Sequence, residues 1–429
     1  MWRKLGLALW LAAMTAAAQA APTRTIEPKG GPIPVGRGLF GVNYVWHLWP
    51  ASAFPSSMST LNTLGASLVR YPGGWVAEHF DWINNRVGGN RIEAQSEPGI
   101  DPDAFLQAVH EPTFVTPSLP ATRDPSRIAP LTARTVRLVE RFRGRVRLWE
   151  IGNEWWLQRG AKNDPAARAE NFSRYAGLLA SVAPAIKRAD PQAIVFATGD
   201  WTKPAEFGAL REAVGLAGWA AIDGVSIHPY CGNLDPQTLC TLIPARAEAI
   251  RQASGKTRLY ASEWSLGTKV TSDDWGIRNA ALTIAAFRQL AAAGIADAAY
   301  WPPMRGAPEI ALMTEAGQPT ATGLLFGWVA HALAGEMLPL SDPASIAGRV
   351  GREVTIIVPA LATPGEINLP LAPFGATRLQ SAQLMRATDP NDPVGSREAS
   401  IETLPVRVEN GVARFSLDAW QIARVTLQP

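Results

Sequence analysis

Eight short apolar runs, each closed by glycine, proline or a polar cluster, recur along most of the chain with longer stretches between them. They read GLFGVNYV (38–45), ASLVRYPG (66–73), TFVTPS (113–118), VRLWEIGN (146–153), AIVFATGD (193–200), IDGVSIHPY (222–230), RLYASEW (258–264) and DAAYW (297–301). β-Branched and aromatic residues dominate them, which is the composition of strands. The stretches at 131–143, 169–189 and 277–294 carry apolar residues at helical spacing. Strands alternating with helices in this number predict a (β/α)8 TIM barrel over residues 36–339. An open doubly wound sheet is the rival. It would place a G-x-G-x-x-G turn after its first strand, and none is there.

Beyond about residue 340 the pattern changes to closely spaced strands: REVTIIVPA, GEINLPL, RLQSAQLMRA, LPVRVENG, VARFSLD and QIARVTLQ. Asn410-Gly411 is a hairpin signal. These residues, 340–429, predict a small all-β sandwich. The turn-rich segment 21–35 offers one short strand near Thr23 to Ile26, which could join it.

The first twenty residues read as an export signal rather than as fold. Arg3 and Lys4 precede an apolar run from Leu5 to Ala18, and Ala18-Gln19-Ala20 fits a small-x-small cleavage site. The run is short for a membrane span, although an uncleaved anchor is the alternative. Export implies a periplasmic or secreted protein with no membrane attachment after cleavage. Losing Arg3 and Lys4 leaves 38 basic against 37 acidic residues, so the formal charge falls from +3 to +1. There is no basic stripe of the kind that nucleic-acid binding needs. The two cysteines, Cys231 and Cys240, lie in one loop-like stretch. In an exported chain such a pair reads as a disulfide, with free thiols the alternative.

The polar residues cluster where the runs end: Arg70 on the second, Asn153 and Glu154 after the fourth, His228 and Tyr230 on the sixth, Glu263 on the seventh, Trp301 after the eighth. In a barrel these ends form one face, and the active site belongs there. Two carboxylates facing each other across that bowl are what glycosidic bond hydrolysis needs. One protonates the leaving oxygen. The other, when the carboxyls are about 5 to 5.5 Å apart, attacks the anomeric carbon with net retention. Tryptophans suit such a site because indoles cover the apolar faces of sugar rings. A metal-assisted hydrolase would need His/Asp clusters at the strand ends. Only five histidines are present and no such cluster is visible, so no metal and no cofactor are expected.

WEIGNEWW (149–156) resembles the acid/base motif of the retaining glycoside hydrolases of clan A, and SEW (262–264) resembles their nucleophile strand. LVRYPGGW and SIHPY are similar to the second and sixth strand ends of glycoside hydrolase family 51, the α-L-arabinofuranosidase type. The resemblance covers nearly the whole mature chain and implies a β-sandwich after the barrel. It implies Glu154 as acid/base, Glu263 as nucleophile, and Asn153 as partner of the sugar hydroxyl beside the anomeric carbon. Arg70 and Tyr230 would hold Glu263 ionised, and His228 would position that network or the sugar. Trp155, Trp264 and Trp301 would contact the sugar, Trp301 as the subsite floor, aimed by a cis bond to Pro302. Trp75, Trp46 and Trp49 are further rim candidates. Glu78, His79 and Asp81 either line the loop after the second strand or cap a helix. Two departures stand out. GVNYVWHLWP (41–50) has Asn43 and His47 but lacks the glutamate that family 51 uses to bind arabinose, and Trp75 stands where the family has asparagine. The expected partner is an oligosaccharide or polysaccharide whose sugar and linkage the chain does not reveal; nor does it reveal an oligomeric state. A non-catalytic carbohydrate-binding barrel is the alternative, although such a protein has no need of both glutamates.

Overall fold

The computed structural model describes residues 22–46, 49–82, 84–87, 99–116, 124–235, 238–267, 276–304, 310–389 and 398–429. The apolar leader and His47 lie outside them. No helix among the described residues is long and apolar enough to cross a membrane.

Eight parallel strands close into a barrel. They are β1 (Gly41–Asn43), β2 (Leu68–Tyr71), β3 (Glu111–Thr116), β4 (Leu148–Ile151), β5 (Ile194–Thr198), β6 (Gly224–Ile227), β7 (Arg258–Trp264) and β8 (Asp297–Tyr300). Each falls on one of the eight apolar runs. Pairing of Ala299 with Gly41 shuts the ring. Between and after the strands run α1 (Phe54–Thr63), α2 (Pro102–Ala108), α3 (Ile128–Phe142), α4 (Pro165–Ala189), α5 (Ala205–Ala220), α6 (Leu242–Ser254), α7 (Ile277–Ala292) and α8 (Ala321–Ala332). Asp101, Asp164 and Thr320 cap the first turns of α2, α4 and α8 with side-chain oxygens. On α3 the buried residues are Leu131, Thr135, Leu138, Val139 and Phe142, a single stripe against the barrel.

Strand alternation sorts the side chains of the barrel into two layers. On β4, Trp149 faces the helices while Leu148 and Glu150 point inward; on β2, Val69 and Tyr71 face out while Leu68 and Arg70 point in. Leu68, Leu148, Phe196, Tyr260 and Ala299 fill the interior as a separate apolar cluster. Above this plug the interior turns polar.

On β7 the alternation breaks. The register against β8 shifts between Ala261 and Trp264. Ser262 and Glu263 both reach inward, to Glu150 and to Arg70. Trp264, which plain alternation would turn inward with Ser262, instead packs outward on Phe287 and Tyr300. An irregularity of this kind re-aims one side chain at the cost of local pairing.

The second unit packs two sheets over its own core. One has the order Ile33–Pro34, Glu336–Leu338, Ile346–Val350, Glu353–Pro359, Ile422–Gln428, Arg378–Ala387, Ala399–Thr403. The other runs Thr23–Thr25, Gly365–Pro370, Val412–Leu417, Arg407–Glu409. Asn410 and Gly411 turn its last hairpin with φ of 51° and 73°. Thr23–Thr25 pairs with Glu366–Asn368, and Ile26 lies in the sandwich core. Arg288 of α7 reaches across to the carbonyls of Leu340 and Asp342, joining the units.

Candidate active site

Arg70 is completely buried at the centre of the polar layer, and its guanidinium holds the site together. Nε donates to Glu150 Oε2 at 2.6 Å. Nη1 donates to Glu263 Oε1 at 2.8 Å and to Asn43 Oδ1 at 2.9 Å. Nη2 donates to Asn153 Oδ1 at 2.8 Å. Burial alone would lower the pKa of Arg70, but the Glu150 and Glu263 carboxylates outweigh it and raise it. The group stays charged at every working pH.

Glu263 takes a second donor from Tyr230, whose hydroxyl lies 2.7 Å from Oε2. Burial pushes the Tyr230 phenol well above its usual range, with the Glu263 and Glu154 charges adding to it, so it remains a donor. His228 Nδ1 sits 3.0 Å from Glu154 Oε1 and 3.5 Å from Glu263 Oε2. Burial would lower the His228 pKa, and the two carboxylates prevail to raise it. Glu154, His228 and Glu263 each offer an atom within 4.8 Å of the other two. A divalent cation among them would lie against the Arg70 charge, and both oxygens of Glu263 already hold donors. That donor set suits a carboxylate pair better than a metal.

Glu154 follows β4 by three residues, in the left-handed region at φ 43° and ψ 45°. That conformation costs a non-glycine residue roughly 1–2 kcal/mol. Gly152, at φ 77°, makes the turn that leads into it. Strain held at a carboxylate facing another carboxylate is the pattern of a functional position. Beside it, the Asn153 side-chain nitrogen is buried without a partner, and so is His228 Nε2. Buried donors left open at the mouth of a cleft are suited to the hydroxyls of a ligand.

No family model matches the sequence, and no curated protein matches it. Solved structures do. AbfB, a family 51 α-L-arabinofuranosidase from Bifidobacterium longum, superposes with a TM-score of 0.67 at 17% identity over 95% of this chain and 99% of its own. A monomeric β-xylosidase from Caulobacter crescentus CB15 gives 0.62 at 17% identity, over 95% and 99%. The GH39 enzyme from Xanthomonas axonopodis pv. citri gives 0.63 at 18% identity, over 97% and 99%. This chain has their fold.

Of the residues singled out from sequence, Arg70, Asn153, Glu154, His228, Tyr230 and Glu263 converge as described. Trp301 is half-buried, its bond to Pro302 is cis, and its ring lies over Gly74. A Cβ at Gly74 would meet that indole at 2.5 Å, and φ there is +68°, so the position requires glycine. A disulfide joins Cys231 and Cys240 directly after Tyr230.

Two tryptophans do not face the bowl. Trp155 is 1% exposed; it stacks on Tyr175 of α4, and its Nε1 donates to the Thr198 carbonyl. It is a packing residue, because the 3-10 turn after Glu154 sends it into the helix layer. Its neighbour Trp156 is the one whose ring meets His228, at 5.7 Å between centroids. Trp264, also 1% exposed, is turned out by the β7 register shift and is likewise no sugar contact. Trp49 stacks on Tyr44 in the core and Trp46 lies over Gly99, so neither forms a rim, whereas Trp75 is 38% exposed.

Two further carboxylates belong to the site: Glu78, expected to line the loop after the second strand or to cap a helix, and Glu150, which no motif marks. Glu78, buried, accepts the Asn153 backbone N–H at 2.6 Å, fixing the turn that presents Glu154. It caps a strand end rather than a helix. Glu150 lies beneath Arg70, and strand alternation from Leu148 was the available signal for it. Asn43 donates to the carbonyls of Ser262 and Ala299 while accepting from Arg70, so it ties β1 to three other strands.

Tyr230→Phe tests the electrostatics directly. It removes one hydrogen bond to a charged acceptor, worth about 1.5–3 kcal/mol. If the site turns over glycosides, kcat/KM should fall about 10- to 100-fold, with the thermal midpoint lowered by only a few degrees. An unaltered rate would mean that Glu263 does not react.

Proposed function

We propose that the protein is a retaining glycoside hydrolase that works by double displacement. The observation that carries this reading is the approach of Glu154 and Glu263 to within 4.8 Å through His228, at the mouth of one barrel. That spacing suits attack by one carboxylate and leaves no room for the water that an inverting pair must hold between them.

In the first step a Glu263 oxygen bonds to the anomeric carbon while the leaving oxygen departs with the proton of Glu154. Asn153 Nδ2 donates to the neighbouring sugar hydroxyl, a bond that tightens as positive charge grows on the ring. Water then gives its proton to Glu154 and its oxygen to the anomeric carbon, which frees Glu263. Arg70 and Tyr230 hold the Glu263 carboxyl aimed at the sugar through their hydrogen bonds, and Trp301 forms the floor beneath it.

The substrate class is a hemicellulose or exopolysaccharide glycoside. Arabinofuranosides come first, from the resemblance of the second and sixth strand ends and from the structural neighbours. Xylosides and glucosides come next, because both ends of the Asn43 amide are already engaged, Nδ2 by backbone carbonyls and Oδ1 by Arg70, and no carboxylate lies between β1 and β2 among the described residues. Residues 1–20 export the protein to the periplasm or medium, and N-terminal sequencing of the mature chain should begin near Ala21.

A panel of aryl arabinofuranosides, xylosides and glucosides, with arabinan, arabinoxylan and bacterial exopolysaccharides beside it, tests the reading. Turnover is expected, with the first-formed product carrying the anomeric configuration of the substrate by proton NMR. Inversion would overturn double displacement. Tight saccharide binding without turnover would leave a binding protein.

A further inference from the structure

Glu150 enters neither step of the proposed reaction, yet it is one of the most completely coordinated side chains in the barrel. It is wholly buried, four residues before Glu154 on β4. Oε2 accepts from Arg70 Nε at 2.6 Å. Oε1 accepts from Ser226 Oγ of β6 at 2.5 Å and from Ser262 Oγ of β7 at 2.7 Å. Three donors from three strands converge on it, as they do on a carboxylate anion.

Resting on the retaining reading above, we propose that Glu150 is a positioning residue that both aims Arg70 and sets the charge felt by the nucleophile. The aiming follows from the fork geometry of a guanidinium. With Nε pinned from below, the plane is fixed, and Nη1 and Nη2 must point up at Glu263 and Asn153. One arginine thereby places both the attacking carboxylate and the amide that meets the sugar. The charge follows from a sum. Arg70, Glu150 and Glu263 carry +1, −1 and −1, a total of −1. Without the Glu150 charge the total is zero, and the full guanidinium charge bears on Glu263, which makes it a weaker base and a poorer nucleophile.

The titratable groups facing this cluster are Arg70 from β2, Tyr260 and Glu263 from β7, His228 and Tyr230 after β6, Glu154 after β4, Glu78 below Asn153, and Tyr175 from α4. Burial holds the three phenols neutral.

Glu150→Gln keeps the shape. Its amide oxygen can accept from Arg70 Nε while its nitrogen donates to the two serine hydroxyls. Only the charge is lost. On an aryl glycoside that the wild type turns over, both limbs of the kcat/KM profile should move to lower pH by about one unit, because removing a nearby negative charge lowers the pKa of every group around it. The maximum should also drop. A residue that merely packs would lower the midpoint of thermal unfolding and leave the limbs in place; a folded Glu150→Gln enzyme with an unmoved profile overturns the proposal. If that variant does not fold, Ser226→Ala with Ser262→Ala loosens the anchor and keeps the charge. It should lower kcat about fivefold with KM unchanged. An unchanged kcat there overturns the proposal equally. Neither result bears on whether Glu263 is the nucleophile, which its own substitution decides.

Discussion

Glu263→Ala should lower kcat on aryl glycosides by about 10⁵-fold while leaving the protein folded. The size reflects the loss of the covalent route, because among the described residues no other carboxylate is shown accepting from both Tyr230 and Arg70. Survival of the fold follows from Glu150. Removing one partner of a buried ion pair ordinarily costs about 3–5 kcal/mol, because the other charge is stranded. Here Arg70 keeps Glu150 at 2.6 Å, so the cation is never left alone. Unfolding midpoints of wild type and variant should agree within a few degrees. Azide added to the variant can occupy the vacated space and attack the sugar itself, giving a glycosyl azide of opposite anomeric configuration. Retention of wild-type turnover in the variant would end the double-displacement reading.

Glu154→Ala separates the two halves of the reaction. On substrates with poor leaving groups the rate should fall about 10³-fold, in the range that general acid catalysis supplies. On activated aryl glycosides the first step needs no proton, so it should stay fast and the intermediate should accumulate as a burst. Azide should then restore turnover and yield a glycosyl azide of retained configuration. The decisive comparison is between leaving groups, and equal loss on good and poor ones would remove Glu154 from the acid role. The variant also relieves little of the left-handed strain at this position, since alanine pays a similar cost there.

Much of this arrangement could be read before any coordinates. Each barrel strand is short, β-branched and closed by a breaker, so its limits are written locally. The residues at the ends of β2, β4, β6 and β7 then fall on one face because a parallel barrel has only one such face. What escaped reading depends on irregular backbone. Trp264 follows Glu263 in a strand whose register slips, and nothing in RLYASEW marks that slip. Trp155 and Trp156 differ by one position in a 3-10 turn, and only the path of that turn decides which meets His228. Glu78 acts on a backbone N–H from a separate loop, 75 residues earlier in the chain, where no periodicity connects them. Glu150 is different. Two residues after Leu148 it had to face the interior, and a carboxylate placed there demanded a cation such as Arg70.

The chain enters and leaves the barrel through the same sandwich. Ile33–Pro34 lies at the edge of one sheet against Glu336–Met337, and Thr23–Thr25 borders the other, with Arg24 bonded to Asp342. The barrel is thus belted at both ends, and its boundaries in sequence are not places where it can be cut. Trimming everything after residue 335 would strip two edge segments of their neighbours and uncover the faces of α7 and α8, so engineering of this scaffold has to carry the belt along with the barrel.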